Sequence, residues 1–151
     1  MPTTDPATEG RGSDATALLR AAALRVTAPR VAVIGVVRDH PHVDAGTVVG
    51  TTRERAGWIS VQGVYDVLAT LTDAGILRRV QPARSPARYE MELGDNHHHL
   101  ACRTCGGLRD VPCPVGAAPC LAPGEAEGFV VDEAEVVFWG TCARCRDTAP
   151  H

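Results

Sequence analysis

The chain has 151 residues with 44% hydrophobic content, enough for one moderate core or two small ones. All fifteen basic residues are arginines; residues 1–90 carry eleven of them against nine acids, a balance of +2, and residues 91–151 carry four against nine, a balance of −5. The net charge of −3 would ordinarily argue against nucleic-acid binding, yet this asymmetry allows a locally basic face on the first half.

Residues 1–12 are rich in Pro, Thr, Gly and acids without periodicity and predict a disordered tail. Ser13 or Asp14 can cap a short helix, ATALLRAAAL. In TAPRVAVIGVVRDHP, Thr27 is a second N-cap, Pro29 falls in the first turn and Pro41 enforces the stop. Asp44 opens AGTVVGTTRERAG, whose glycines and β-branched residues weaken its helical signal. Ser60 opens VQGVYDVLATLTDAG, with Val61, Val64, Leu68 and Leu71 on one face and Gly75 at the C-terminal stop. The period then changes: ILRRVQPARSPARYEMEL holds two extended runs around a Pro-Ala-Arg-Ser-Pro turn and reads as a β-hairpin. Helices closed by such a hairpin predict a winged helix-turn-helix over 13–90, with the helix after Ser60 as recognition helix; a helical bundle with an incidental hairpin is the alternative. From His97, HHHLAC, GLRDVP and EVVFWGTC read as short strands of a second, smaller α/β unit over 91–147, followed by a tail at 148–151. CPVGAAPCLAPGEAEG, between the last two strands, is too long for a simple turn and predicts an ordered loop or a short helix. The fold class is therefore α+β.

No apolar run approaches the roughly 20 residues of a membrane span, and the start MPTTDPATEGRGSD lacks the apolar core of a secretory signal. Both point to a cytoplasmic protein with no membrane partner. In a reducing compartment, six cysteines favour metal or redox chemistry over a disulfide framework. Cys102-Arg-Thr-Cys105 and Cys142-Ala-Arg-Cys145 are two knuckles separated by 36 residues. Together they complete a closed tetrahedral S₄ shell, suited to structural Zn²⁺; two vicinal redox pairs or an iron–sulfur site use the same spacing. Cys113 and Cys120 remain, either as small apolar residues or as redox-sensing thiols. Side chains alternate along a strand, so His97 and His99 share one side and His98 faces the other. The run GDNHHHLACRTC thus serves two sites, with Cys102 and Cys105 given to one ion and His97 and His99 to another.

Over roughly residues 15–146 these motifs resemble the ferric uptake regulator family. HPHVDAGTV is similar to its His-Pro segment, ISVQGVYDVLATLTDAGILRRV to its recognition helix and wing, and ARYEMELGDNHHHLACRTCG to its hinge, metal-binding strand and first knuckle. DNHHH, VGAAPCL and DEAEVVFWG resemble the actinobacterial FurA and CatR type, iron-containing repressors of catalase-peroxidase genes that respond to peroxide. The resemblance implies a cytoplasmic homodimer that binds a double-stranded DNA operator upstream of such genes and of its own. It also implies a regulatory Fe²⁺, replaceable by Mn²⁺, held by His40, Glu90, His97, His99 and Asp110. On the DNA side it implies base reading from Tyr65, with Ser60 and Gln62 on the same helix, and backbone contacts from Arg25 and Arg30. Gly63 stands where relatives usually carry alanine, and Asp66 where many carry arginine or asparagine. The position matching a third, zinc-type site of some relatives is Ala134, so no such site is expected despite the available His98. A thiol-based switch and a zinc- or nickel-sensing regulator are the alternatives within this frame. A metalloenzyme is disfavoured, because no base or substrate-cradling motif accompanies the ligand cluster.

Overall fold

The structure, a computed structural model, describes residues 6–148. What the sequence suggests for residues 1–5 and 149–151 lies outside the described residues. The chain divides into two compact units, Met1–Leu93 and Gly94–His151.

The first unit runs α1 (Pro6–Ala21), α2 (Ala28–Asp39), β1 (Val43–Asp44), α3 (Ala45–Ala56), α4 (Val61–Asp73), β2 (Leu77–Val80) and β3 (Arg88–Met91). α1 begins at Pro6, not at Ser13 or Asp14, and so enters the segment expected to be a tail. Proline at the first helical position forfeits only an N–H that has no helical partner there. α2 is capped as its sequence suggests: the Thr27 side chain accepts from the Arg30 amide, with Pro29 in the first turn. Its Val33, Ile34, Val36 and Val37 are fully buried, and Val48 of α3, Val64, Leu68 and Leu71 of α4, and Leu77 of β2 close around them. Val61, expected on that apolar face, is half exposed because it opens α4 beyond the edge of the core. Truncating Leu68 or Leu71 to alanine leaves a cavity of the kind that costs about 2–5 kcal/mol.

Two devices set the angle of α4. Gly57 caps α3 with φ at +83°, a conformation costly for any residue with a Cβ, and the Arg53 Nε donates to the Ile59 carbonyl at 2.9 Å across the turn. At the far end Gly75, with φ at +72°, lets the Ile76 amide reach back to the Leu71 carbonyl at 3.0 Å and hands the chain to β2. β3 pairs antiparallel with β2 on one side and β1 on the other, giving the order β1-β3-β2. The hairpin continues beyond Glu90, with Met91 opposite Leu77 and the Glu92 amide bonded to the Ile76 carbonyl, and this carries the unit boundary from the expected residue 90 to Leu93.

The α3 cap gives a direct stability test. Asp44 Oδ1 accepts from the Thr47 amide and Oδ2 from the Thr47 hydroxyl, both at 2.9 Å. The amide bond, above all, holds the Asp44 carboxyl below the usual 3.8. Asp44→Ala should cost about 1 kcal/mol at neutral pH, measured by urea unfolding. A carboxylate depressed on folding stabilises fully above its unfolded value, so the difference between the two proteins should shrink as pH falls below 3.8 and vanish beneath the folded value.

The second unit is a three-stranded sheet with β4 (His97–Cys102) in the middle, β5 (Leu108–Pro112) antiparallel to it and β6 (Val137–Gly140) parallel, followed by the short α5 (Ala143–Asp147). Among the described residues, 113–136 form neither helix nor strand, so the excursion is a loop throughout.

Candidate metal centres and the recognition helix

The parallel pairing of β4 with β6 brings the knuckles together. Cys102 and Gly140 are register partners, so the chain leaves both strands at the same end, and each exit carries its Cys-x-x-Cys. The first knuckle folds on itself through Gly106 N–H to Cys102 O at 2.9 Å; the second begins at Cys142, the N-cap of α5. All four sulfurs lie within 4.8 Å of one another, and Cys105 Sγ is 3.9 Å from Cys142 Sγ. Zinc–sulfur bonds of about 2.3 Å at tetrahedral angles separate sulfurs by about 3.8 Å, so the donors already stand at ligand spacing. The electrostatics also call for a cation. The Cys142 amide, first among several that point at Cys102 Sγ, holds that thiol down to about 5. The neighbouring Cys142 thiol pushes Cys145 up to about 12. The Arg144 guanidinium bonds Cys105 and lies near Cys142 and Cys145, and four thiolates together would need a further positive charge among them.

On the other end of β4, alternation separates the histidines as expected. His97 and His99 lie edge to face with ring centroids 5.1 Å apart, and Asp110, the register partner of His99 on β5, brings Oδ1 to 3.6 Å from His97 Nε2 and 3.4 Å from His99 Nε2. Asp95 Oδ1 lies 2.9 Å from His97 Nδ1 and fixes that ring with Nε2 turned toward Asp110. A carboxylate behind a ligating imidazole sets its tautomer and orientation. Sequence reasoning missed Asp95, whose only signal is its place two residues before His97.

Within the first unit, the side chain beside Glu90 is His42, with Nε2 3.0 Å from Oε2, and not the expected His40. The register explains it: Val43 opposes Tyr89 in an antiparallel pair, so the residue before Val43 opposes the residue after Tyr89. His40 is instead the exposed C-cap of α2, its amide bonded to the Val36 carbonyl. Glu90 is 4% exposed, a burial a carboxylate tolerates only with a partner.

His98 faces the opposite way from its neighbours. It is 3% exposed, and its Nε2 lies 3.1 Å from Cys120 Sγ. Cys113 joins them, so the two cysteines left without a role by spacing converge on the histidine left without one.

In the first unit, α4 turns Gln62, Tyr65, Asp66 and Ala69 outward; Tyr65 is 46% exposed and is not a core tyrosine. Gln62 Nε2 donates to Asp66 Oδ1 at 2.8 Å, which engages the acid that departs from the family pattern. Ser60 Oγ caps the helix by accepting from the Gly63 amide at 2.9 Å. A Cβ on Gly63 would stand 3.0 Å from both Ser60 Oγ and the Ile59 side chain, a tight approach that would require those side chains to shift by a few tenths of an ångström. Arg25 is exposed in the turn before α2, and Arg30 Nη1 donates to the Arg25 carbonyl at 2.7 Å, so Arg30 shapes the segment that presents Arg25.

The winged helix and the small sheet with its knuckles and paired histidines lie in a chain whose residues 21–118 match the ferric uptake regulator family. The chain belongs to the ferric uptake regulator family. It is similar to the transcriptional regulator FurA of Mycobacterium tuberculosis, 54% identical over 127 residues that cover 84% of this chain and 86% of the relative. Ferric uptake regulation protein 1 of Mycolicibacterium fortuitum is 48% identical over 136 residues, 90% of this chain and 84% of that protein. In fold the chain resembles the Helicobacter pylori ferric uptake regulator, a protein with three functional metal binding sites, at a TM-score of 0.68 and 18% identity over 94% of this chain and 95% of that one. It also resembles a zinc uptake regulator complexed with zinc and DNA, at a TM-score of 0.65 and 18% identity over 95% of this chain and 97% of that one. As a member of the family, the protein is a metal-responsive, DNA-binding transcriptional regulator and not an enzyme. No helix among the described residues is long and apolar enough to cross a membrane.

Proposed function

We propose that the protein is a homodimeric repressor that holds a structural Zn²⁺ at Cys102, Cys105, Cys142 and Cys145. Its affinity for operator DNA is set by a regulatory Fe²⁺, for which Mn²⁺ substitutes, and peroxide releases it from genes of peroxide defence and from its own. The observation that carries this reading is that each unit by itself presents part of an N/O donor shell: His42 against Glu90 in the first, His97 and His99 against Asp110 in the second. Imidazole with carboxylate suits Fe²⁺ and Mn²⁺, whereas the thiolate shell suits zinc. A regulatory ion that restricts how the winged helices are presented would select the spacing of two recognition helices on DNA. The relatives' names, FurA and ferric uptake regulation protein, favour iron as the regulatory ion. Dimerisation is supported by Leu100 and Phe138, register partners on β4 and β6 that remain 43% and 47% exposed, an apolar pair a second copy would cover. Metal analysis of protein purified without oxygen, with footprinting upstream of its own gene in the presence and absence of Fe²⁺, tests the reading.

The recognition helix yields a separable prediction. Tyr65→Ala removes a base contact and should lower operator affinity by about 1–3 kcal/mol while leaving random-sequence DNA nearly unaffected. Arg30→Ala loosens the turn that presents Arg25 and removes charge from the backbone-facing side. It should weaken both DNAs alike and reduce the salt slope by about one. Titrations at several salt concentrations distinguish the two; equal losses on both DNAs from both substitutions would remove Tyr65 from the base-reading role.

A further inference from the structure

We propose that His98, Cys113 and Cys120 form a further metal site, of Cys₂His type, for a thiophilic d¹⁰ cation such as Zn²⁺, with solvent or an exchangeable ligand in the fourth position. The resemblance alone predicts no third site, since Ala134 stands where some relatives place a ligand. The geometry supplies a different donor set. His98 Nε2, Cys113 Sγ and Cys120 Sγ lie within 4.8 Å of one another, and none of the three belongs to the four-cysteine shell or to the His97, His99 and Asp110 group.

Each donor arrives by a separate route. His98 is fixed on the central strand β4, pointing away from His97 and His99. Cys113 follows directly on β5, and its amide donates at 3.2 Å to the carbonyl of Asn96, the residue before β4. Cys120 comes from the loop at 113–136, which has no helix or strand of its own among the described residues. Its sulfur nevertheless sits 3.1 Å from His98 Nε2 and 4.0 Å from the Ala134 carbonyl. Zinc bonds of about 2.0 Å to nitrogen and 2.3 Å to sulfur place the two donors about 3.5 Å apart at a tetrahedral angle, so binding asks the pair to open by a few tenths of an ångström.

The alternative for two converging cysteines is a disulfide, and the imidazole decides against it. A disulfide uses both sulfurs and leaves His98 buried beside them, 3% exposed, with Nδ1 already lacking a hydrogen-bond partner among the described residues. Burying polar atoms without partners is costly, whereas a cation takes up the Nε2 lone pair and both thiolates at once. It would also cross-link the loop to the sheet, which that segment's sequence, rich in proline and glycine, cannot do by secondary structure. With three protein donors the site stays open at one position, so its ion should exchange, unlike one enclosed by four thiolates.

The test uses the full-length, fully reduced protein with its four-cysteine shell already filled by Zn²⁺. Co²⁺ is added anaerobically and followed by its thiolate-to-metal charge-transfer absorption, which the N/O ligands at His97, His99 and Asp110 cannot produce. One equivalent of thiolate-ligated Co²⁺ per chain is expected, displaced by Zn²⁺, and lost in Cys120→Ser and in Cys113→Ser while the four-cysteine zinc is retained. His98→Ala should weaken Co²⁺ binding at least tenfold and shift the visible d–d bands as nitrogen is replaced by oxygen. The unmodified protein carries the test even where a variant folds poorly. Absence of the charge-transfer band in reduced wild-type protein, its persistence unchanged in Cys120→Ser, or recovery of Cys113 and Cys120 only as a disulfide with no second ion would overturn the proposal.

Discussion

Cys142→Ser should lose the zinc of the four-cysteine shell and, with it, the fold of the second unit. That unit has three short strands and a five-residue helix, and the charge-bearing sulfurs of both knuckles sit at one end of the sheet. A sheet of this size is marginal without reinforcement. Structural zinc contributes about 10–16 kcal/mol of apparent binding free energy in small metal-nucleated domains, comparable to the whole stability of a typical domain at about 5–15 kcal/mol. Removing one thiolate therefore removes more than the unit has to spare. The expected result is zinc falling from one tightly held equivalent to none, loss of sheet signal in far-ultraviolet circular dichroism, and a monomer by light scattering. The pH dependence follows from the thiols. Cys102, held near 5 by backbone amides, is a thiolate at neutral pH, but Cys145, pushed up to about 12, still carries its proton and yields it only to the metal. Loading should therefore release protons at pH 7, and zinc should be lost to a competing chelator more readily as pH falls. A soluble dimer with undiminished zinc in Cys142→Ser would sink the assignment.

What could be read from the sequence divides by range. α2 and α4 are legible because Val33, Ile34, Val36 and Val37, and Val64, Leu68 and Leu71, repeat at helical spacing between clear caps. α3 is legible despite its glycines and β-branched residues because Asp44 caps it with both oxygens. The four cysteines announce themselves by spacing, yet their meeting depends on β6 lying parallel to β4, a pairing across the whole excursion that no local pattern encodes. The choice between His40 and His42 turns on a two-residue strand, too short to leave a periodic signal; only its register with β3 shows which imidazole meets Glu90. Cys113 and Cys120 are the hardest case. Their loop lacks periodicity, so nothing local ties Cys120 to a histidine on a strand that precedes it by some twenty residues. Alternation alone does set His98 apart from its neighbours, and that was the available clue.

His99→Ala should abolish metal-dependent repression, whereas His98→Ala should leave it in place. His99 is fully buried and faces Asp110 at 3.4 Å, so its loss removes a nitrogen donor from beside that carboxylate. His98 points to the other side of β4, and its loss spares the N/O donors. With no thiolate in its shell, the regulatory ion should be the weaker of the two and the first to yield to a mild chelator. Affinity for operator should then fall by the ion's differential affinity for the DNA-binding arrangement, roughly tenfold for each 1.4 kcal/mol. On the proposed function, Fe²⁺ held there would supply the chemistry that splits peroxide beside its ligands. The net change would put one oxygen atom of H₂O₂ into an imidazole ring and release the other as water, without touching sulfur. His42, whose Nε2 faces Glu90, and His97, the less buried of the two imidazoles that face Asp110, are the expected targets. An oxidised ring is a poor ligand, so the ion should depart and free the operator. Mn²⁺, which does not split peroxide in this way, should support DNA binding that survives the same treatment. The decisive measurement is operator binding with each metal before and after peroxide, read beside mass spectrometry of the histidine- and cysteine-containing peptides. A gain of one oxygen on the His42 or His97 peptide with Fe²⁺ only, in step with release, is the expected result. Equal release with Mn²⁺ and modification confined to cysteines would replace the iron mechanism with a thiol switch at Cys113 and Cys120 or at the knuckles.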